Sequence, residues 1–107
     1  MRTTTKKTDK QTARIYAALK AAFPDISDDE DEVIYKYNPY SIRVRIIDKS
    51  FAELSLAQRH AAVKRVLARL NVDDTENISM LMMLSPEEAT ETDLMNLEFD
   101  DPGRSRI

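Results

Sequence analysis

The fold is decided by the stretch Ile42-Arg43-Val44-Arg45-Ile46-Ile47-Asp48-Lys49-Ser50-Phe51-Ala52-Glu53-Leu54-Ser55-Leu56-Ala57-Gln58-Arg59-His60. Its first five residues alternate between apolar and charged side chains, which predicts a half-buried strand whose core side carries Ile42, Val44 and Ile46. Phe51 is expected to fill the core just after the strand. Ser55 is a good N-cap for a helix over about residues 56–70. The stretch therefore predicts a strand followed by a helix that packs against it.

Two further strands are predicted on either side of this stretch. Residues 33–37 are mostly apolar and predict a strand. The turn-forming sequence Asn38-Pro39-Tyr40-Ser41 separates them from the strand predicted at residues 42–46, which indicates a β-hairpin. Residues 78–84 are apolar on both faces apart from Ser79. This pattern predicts a strand buried from both sides, or a central strand with one side under the helices. Its three methionines are expected to fill the core.

Helices are predicted at both ends of the chain. Asp9 can cap a helix over about residues 10–23, which Pro24 would end. The sequence Ser85-Pro86-Glu87-Glu88 has the pattern of a capping box and predicts a helix over about residues 86–96. Residues 71–77 are predicted to form a polar loop. The acidic run 25–32 is expected to be a solvated connector, because it lacks the glycine and the ligand spacing of an EF-hand calcium loop.

The predicted order of elements is α-β-β-α-β-α, which indicates the α+β class. The hairpin supplies an antiparallel pair, and a crossover through the second helix lets the third strand join in parallel, giving a three-stranded mixed sheet. Helices on one side of this sheet make a two-layer domain. We expect residues 1–8 to be a disordered N-terminal tail, 9–97 a single domain and 98–107 a C-terminal tail.

Composition excludes several kinds of site. The 107 residues include no cysteine, so a disulfide, a zinc–thiolate site or a self-contained iron–sulfur cluster is excluded. Gly103 is the only glycine, which excludes phosphate-binding loops built on glycine-rich backbone. No apolar run approaches the length of a membrane span, and the N-terminus lacks the apolar core of a secretory signal. We therefore expect a cytoplasmic protein that does not bind membranes.

Cationic residues concentrate on two consecutive elements of an otherwise acidic chain, whose formal net charge is −3. The Arg43 and Arg45 pair most simply forms a solubilising strand face. The alternative is a surface that binds nucleic acid or another partner. The residues of this candidate surface are Arg43, Arg45, Arg59, Lys64, Arg65 and Arg69.

His60 is the only histidine in the chain. It falls on the same predicted helix face as Leu56, Val63 and Leu67, which favours a partly buried structural residue with one hydrogen bond. The alternative is a ligand to a metal or cluster that a partner completes, because one imidazole is too few for a stable site. The sequence marks no nucleophile and no orienting carboxylate for a catalytic histidine, so we expect a protein that is not an enzyme.

The pattern Phe51-x-x-x-Ser55-x-x-x-Arg59-His60, together with Asp48 before it and Ser85-Pro86-Glu87-Glu88 after the last strand, resembles BolA-like proteins. This resemblance implies a fold related to type II KH domains. In BolA-like proteins the histidine at the place of His60 is associated with [2Fe–2S] ligation together with a monothiol glutaredoxin. The helix-turn-helix region is associated with DNA contact in some bacterial members. The alternative is a separate small bacterial family that shares only the fold.

The expected function is therefore a non-catalytic interaction module, an adaptor that works with a monothiol glutaredoxin in iron–sulfur or redox handling. It would hold no cofactor on its own, and His60 would contribute to a [2Fe–2S] cluster shared with the partner. The alternative function is a regulatory domain that binds nucleic acid through a KH-like or helix-turn-helix surface.

Overall fold

The computed structural model describes residues 6–91 and 94–100. Within these residues the order of elements is α1, β1, β2, α2, α3, β3, α4 and α5, and 3₁₀ turns cover Glu30–Glu32 and Lys49–Glu53. The α-helices are α1 Lys10–Ala22, α2 Leu56–Leu67, α3 Val72–Thr75, α4 Pro86–Ala89 and α5 Leu94–Asp100. The strands are β1 Ile34–Asn38, β2 Ser41–Ile47 and β3 Ile78–Leu84. The α+β class is confirmed.

Side-chain caps start the helices where the sequence predicts them. Asp9 accepts a hydrogen bond from the Thr12 backbone N–H at 3.1 Å, while Thr12 Oγ1 accepts one from the Asp9 N–H at 2.8 Å. Ser55 and Gln58 make the same reciprocal pair at the start of α2. Each box satisfies N–H groups that have no partner within the first helical turn.

The three-stranded sheet is mixed, with the order β1-β2-β3. β1 pairs antiparallel with β2, and β2 pairs parallel with β3. The predicted hairpin and crossover are therefore confirmed. Among the described strands β3 lies at an edge, so the alternative of a central position for it was wrong. Its apolar faces are explained by packing on both sides, because Met83 faces the helices and Met82 faces α5.

The main core lies between the sheet and the helices α1 and α2. The alternating side chains of β2 point into it as predicted, since Ile42, Val44 and Ile46 are buried. Phe51 is fully buried there, and its ring centroid lies 5.4 Å from that of Phe23. This packing forms the two predicted layers and leaves the outward side of α2 uncovered.

A second, smaller core lies on the other face of the sheet, under α5, so the prediction that the helices lie on one side of the sheet was wrong. It contains Tyr35, Met82 and Phe99, all buried. The helix predicted over residues 86–96 is wrong, because α4 ends at Ala89 and α5 continues to Asp100. α5 therefore crosses the boundary predicted before residue 98. Residues 1–5 and 101–107 of the two predicted tails lie outside the described residues.

The segment predicted as a polar loop over residues 71–77 contains the short helix α3. Its Asp74 is buried and binds the Arg14 guanidinium through two contacts of 2.7 and 2.9 Å. This ion pair ties α3 to α1, which a local sequence pattern does not encode. No helix of the described part of the chain is both long enough and apolar enough to cross a bilayer.

Candidate functional site

The outward side of α2 carries the residue that the sequence marks first, His60. Its side chain is exposed, and among the described residues no side chain makes a hydrogen bond or ion pair with it. The prediction of a partly buried structural histidine was therefore wrong. The helix is turned so that Arg59, the preceding residue, is buried in its place.

The orientation of α2 follows from the contacts of Arg59. Its guanidinium donates to the Met83 carbonyl at 2.9 Å and to the Leu54 carbonyl at 3.0 Å. It also pairs with both carboxylate oxygens of Glu88, at 2.7 and 3.2 Å. A buried arginine needs such partners, because leaving its charge unpaired would cost several kcal/mol. Arg59 is thus a structural residue that connects α2, β3 and α4.

The contact with Arg59 lowers the pKa of Glu88. Arg59 and the Ser85 backbone N–H lower the pKa of Glu88 from the usual 4.5 to about 2. Because the pKa of Glu88 is lowered in the folded state, its contribution to stability is present above pH 4.5 and is lost as the pH falls toward 2.

The expected result of Glu88→Gln is a lower free energy of unfolding at neutral pH, because the glutamine loses the charge that Arg59 binds. As the pH falls toward 2 the free energies of unfolding of the variant and the wild type should approach each other, since the wild-type carboxylate becomes increasingly protonated. Urea unfolding at the two pH values measures the difference. A stability gap that stays constant over this range would contradict the assignment.

Around His60, six exposed residues form the surface that we name the α2 outer face. Leu56, His60 and Lys64 follow one another at intervals of four residues, and Ala57, Ala61 and Arg65 lie beside them at the same spacing. Leu56 is 68% exposed. The face therefore combines an apolar side chain, an imidazole and two cations.

The six cationic residues of the predicted surface lie in three separate places. Lys64, Arg65 and Arg69 are exposed, and no carboxylate of the described residues lies within ion-pair distance of them. Arg43 and Arg45 lie under α5, where they pair with Glu98 and Asp100, and Arg59 pairs with Glu88. The structure therefore does not bring the six together on one open face.

The periodicity of the sequence predicts neither the burial of Arg59 nor the helix α5. A charged residue on a helix is normally assigned to the surface, and the partner of Arg59, Glu88, lies 29 residues away in the sequence. The capping box at Ser85–Glu88 is recognisable in the sequence, but the sequence does not show that its Glu88 side chain also binds the Arg59 guanidinium.

Metal binding by the chain alone is not supported by the described residues. They contain no group of three or more histidine, cysteine, aspartate or glutamate side chains placed to hold an ion. His60 offers one imidazole, and its neighbours on the α2 outer face are apolar or cationic. These residues fit a [2Fe–2S] cluster only where a partner supplies the other ligands.

No protein-family model matches the chain, and no curated protein matches it. Among solved structures, BolA1 from Arabidopsis thaliana is similar to it, with 20% sequence identity and a TM-score of 0.47. The similarity covers 76% of this chain and 98% of that one.

Proposed function

We propose that this protein is a non-catalytic interaction module that binds a protein partner through the α2 outer face. The observation that carries the proposal is the exposed His60, which has no partner among the described residues and lies one helical turn after an exposed leucine. Protein-binding surfaces combine apolar side chains with polar and charged ones, as this face does.

The partner that fits this surface presents acidic residues around an apolar spot. Lys64 and Arg65 would meet its carboxylates, and their charge would speed association more than it would tighten binding. Leu56 would supply buried apolar area. The capping box at Ser55 holds the start of the helix in place, so the imidazole is presented on a rigid element.

The finer proposal is an adaptor for a monothiol glutaredoxin that carries a [2Fe–2S] cluster. The support is the sequence resemblance around Arg59-His60 and the open position of the imidazole. A cluster bound through cysteine thiolates accepts a histidine ligand in other proteins, and such a ligand raises its reduction potential. His60 would supply this ligand from the α2 outer face.

The test is to titrate a [2Fe–2S]-loaded monothiol glutaredoxin with the wild type and with His60→Ala while recording the visible spectrum. The wild type is expected to change the spectrum, and His60→Ala to leave it unchanged. Leu56→Ala should weaken association about tenfold, since it removes buried apolar area, while keeping the spectral change at saturation.

Val72→Ala is the matched control, because Val72 is 67% exposed and lies on α3, outside the α2 outer face. It should behave as the wild type. An unchanged spectrum with the wild type, or equal spectra for wild type and His60→Ala, would reject the cluster adaptor. Equal affinity of Leu56→Ala and the wild type would reject the α2 outer face as the docking surface.

A second candidate function is nucleic-acid binding, which the unpaired cations Lys64, Arg65 and Arg69 favour. Three phosphate contacts would make the logarithm of affinity fall with that of the salt concentration with a slope of about −3. Salt-sensitive binding of an oligonucleotide by the protein, without any complex with the glutaredoxin, would replace the first candidate by the second.

A further inference from the structure

The sheet face turned away from α1 and α2 holds two arginines that a peptide segment of the same chain covers. Arg43 Nη1 lies 3.0 Å from Glu98 Oε2, and Arg45 Nη2 lies 2.8 Å from Asp100 Oδ1. Both guanidinium groups are largely buried, with side-chain exposures of 14% and 10%. Two carboxylates of α5 therefore neutralise two neighbouring buried cations.

Between these carboxylates, Phe99 is fully buried. Its ring centroid lies 4.9 Å from that of Tyr35, and the Arg45 guanidinium lies 4.5 Å from the Phe99 centroid. The Tyr35 hydroxyl donates to the Phe99 main-chain carbonyl at 2.8 Å. The face thus recognises three features of one segment: an aromatic ring, a carboxylate on each side and a backbone carbonyl.

This arrangement exceeds what packing alone requires. A buried arginine and its partner can often be replaced by apolar side chains without loss of stability, so two largely buried guanidinium groups under a seven-residue helix indicate recognition. Within the described residues, Arg45 Nε is a buried donor without an acceptor, so the segment in place does not satisfy the whole guanidinium. Asp100 remains 56% exposed on its side chain, at the outer rim of the contact.

We propose that this face, formed by Tyr35, Arg43, Arg45 and Met82 and named the arginine face, is a peptide-binding site. Its ligand is a segment of a partner protein with an aromatic residue between two acidic ones, and Glu98-Phe99-Asp100 occupies it in cis. A peptide fits better than nucleic acid, because the buried tyrosine hydroxyl binds a main-chain carbonyl. The site lies on the opposite side of the sheet from the α2 outer face and is independent of it.

A segment tethered to its own site competes at an effective concentration in the millimolar range. The apparent affinity for an outside peptide is then reduced by the fraction of molecules whose face is open. A substitution that weakens the contacts of residues 98–100 with the sheet should therefore strengthen binding of the outside peptide. If α5 had only a structural role, the same substitution would not strengthen peptide binding.

The experiment measures fluorescence anisotropy of a labelled peptide with the sequence of residues 94–100, mixed with the full chain. Phe99→Ala is expected to bind this peptide at least tenfold more tightly than the wild type. A peptide with alanine in place of its phenylalanine should not bind. Leu97→Ala, on the exposed side of α5, is the matched control and should bind as the wild type does.

Asp100→Asn provides a second test that keeps the aromatic anchor and is expected to fold even if Phe99→Ala does not. It should increase peptide binding severalfold, because it removes one carboxylate of the cis segment. If Phe99→Ala folds but binds the peptide no better than the wild type, the proposal is overturned. If Phe99→Ala does not fold, the same result with Asp100→Asn overturns it. Binding of an oligonucleotide but not of the peptide by these variants would also overturn it.

His60→Ala, introduced into the Phe99→Ala chain, should leave peptide binding unchanged. This result separates the arginine face from the proposed function, since the glutaredoxin titration can fail while peptide binding remains. Loss of peptide binding on His60→Ala would contradict the placement of the ligand on the arginine face.

Discussion

Phe51→Ala is expected to lower the free energy of unfolding by about 3–5 kcal/mol, as truncation of a buried phenylalanine usually does. Phe51 is fully buried in the main core and packs on Phe23. Alanine at this position would leave a cavity between the sheet and the helices. Because small domains are stable by only about 5–15 kcal/mol, a large share of the molecules could unfold.

The size of this effect also depends on how the chain positions Phe51. The 3₁₀ turn Lys49–Glu53 begins at Asp48, whose side chain accepts the Ser50 N–H at 2.9 Å. The Phe51 N–H then donates to the Asp48 carbonyl. The ring is thus held where β2 ends and α2 begins, so relaxation into the cavity is restricted.

Urea unfolding followed by circular dichroism measures the loss. Phe51→Leu keeps most of the volume and should cost much less than alanine, whereas Val72→Ala, at an exposed position, should change the free energy of unfolding by less than about 0.5 kcal/mol. A loss below about 1 kcal/mol for Phe51→Ala would show that this residue does not fill the core.

Arg59→Met is expected to lower the free energy of unfolding by about 3 kcal/mol, although it makes a residue of the helix more apolar. Methionine can fill the space of the arginine stem, but it cannot donate to the Met83 and Leu54 carbonyls. Each buried carbonyl left without a donor costs about 1–3 kcal/mol. The Glu88 carboxylate also loses its partner.

Lys64→Met is the matched control, because it makes the same kind of change at an exposed position of the same helix. It should leave the free energy of unfolding almost unchanged. The double variant Arg59→Met, Glu88→Gln should lose less than the sum of the two single losses, since the two residues share one interaction. Additive losses, or a stable Arg59→Met, would contradict the structural role of Arg59.

The α+β class and the limits of several elements are predictable from the sequence because their signals are local. Alternation in β2 places Ile42, Val44 and Ile46 in the core, and the capping residues Asp9 and Ser55 start α1 and α2. These signals involve residues only a few positions apart, so they can be recognised directly in the sequence.

The candidate site could be predicted only in part. The sequence places His60 on α2 but not its exposure, because Val63 lies one helical turn from both Arg59 and His60, so spacing alone does not show which of them faces the core. Apolarity favours histidine over arginine as the buried residue. The structure buries Arg59 instead, since Glu88 and Met83 are positioned by distant parts of the chain to receive its charge and its donors.

By itself, the sequence determined the α+β class, the strands and the starts of the main helices, because periodicity and capping are local properties. Only the tertiary structure decided that β3 lies at the edge of the sheet, that α2 turns His60 outward, and that α5 covers Arg43 and Arg45. The physical reason is that a buried charge can be placed only beside an opposite charge or a polar partner. The chain brings these partners together from positions 29 to 55 residues apart.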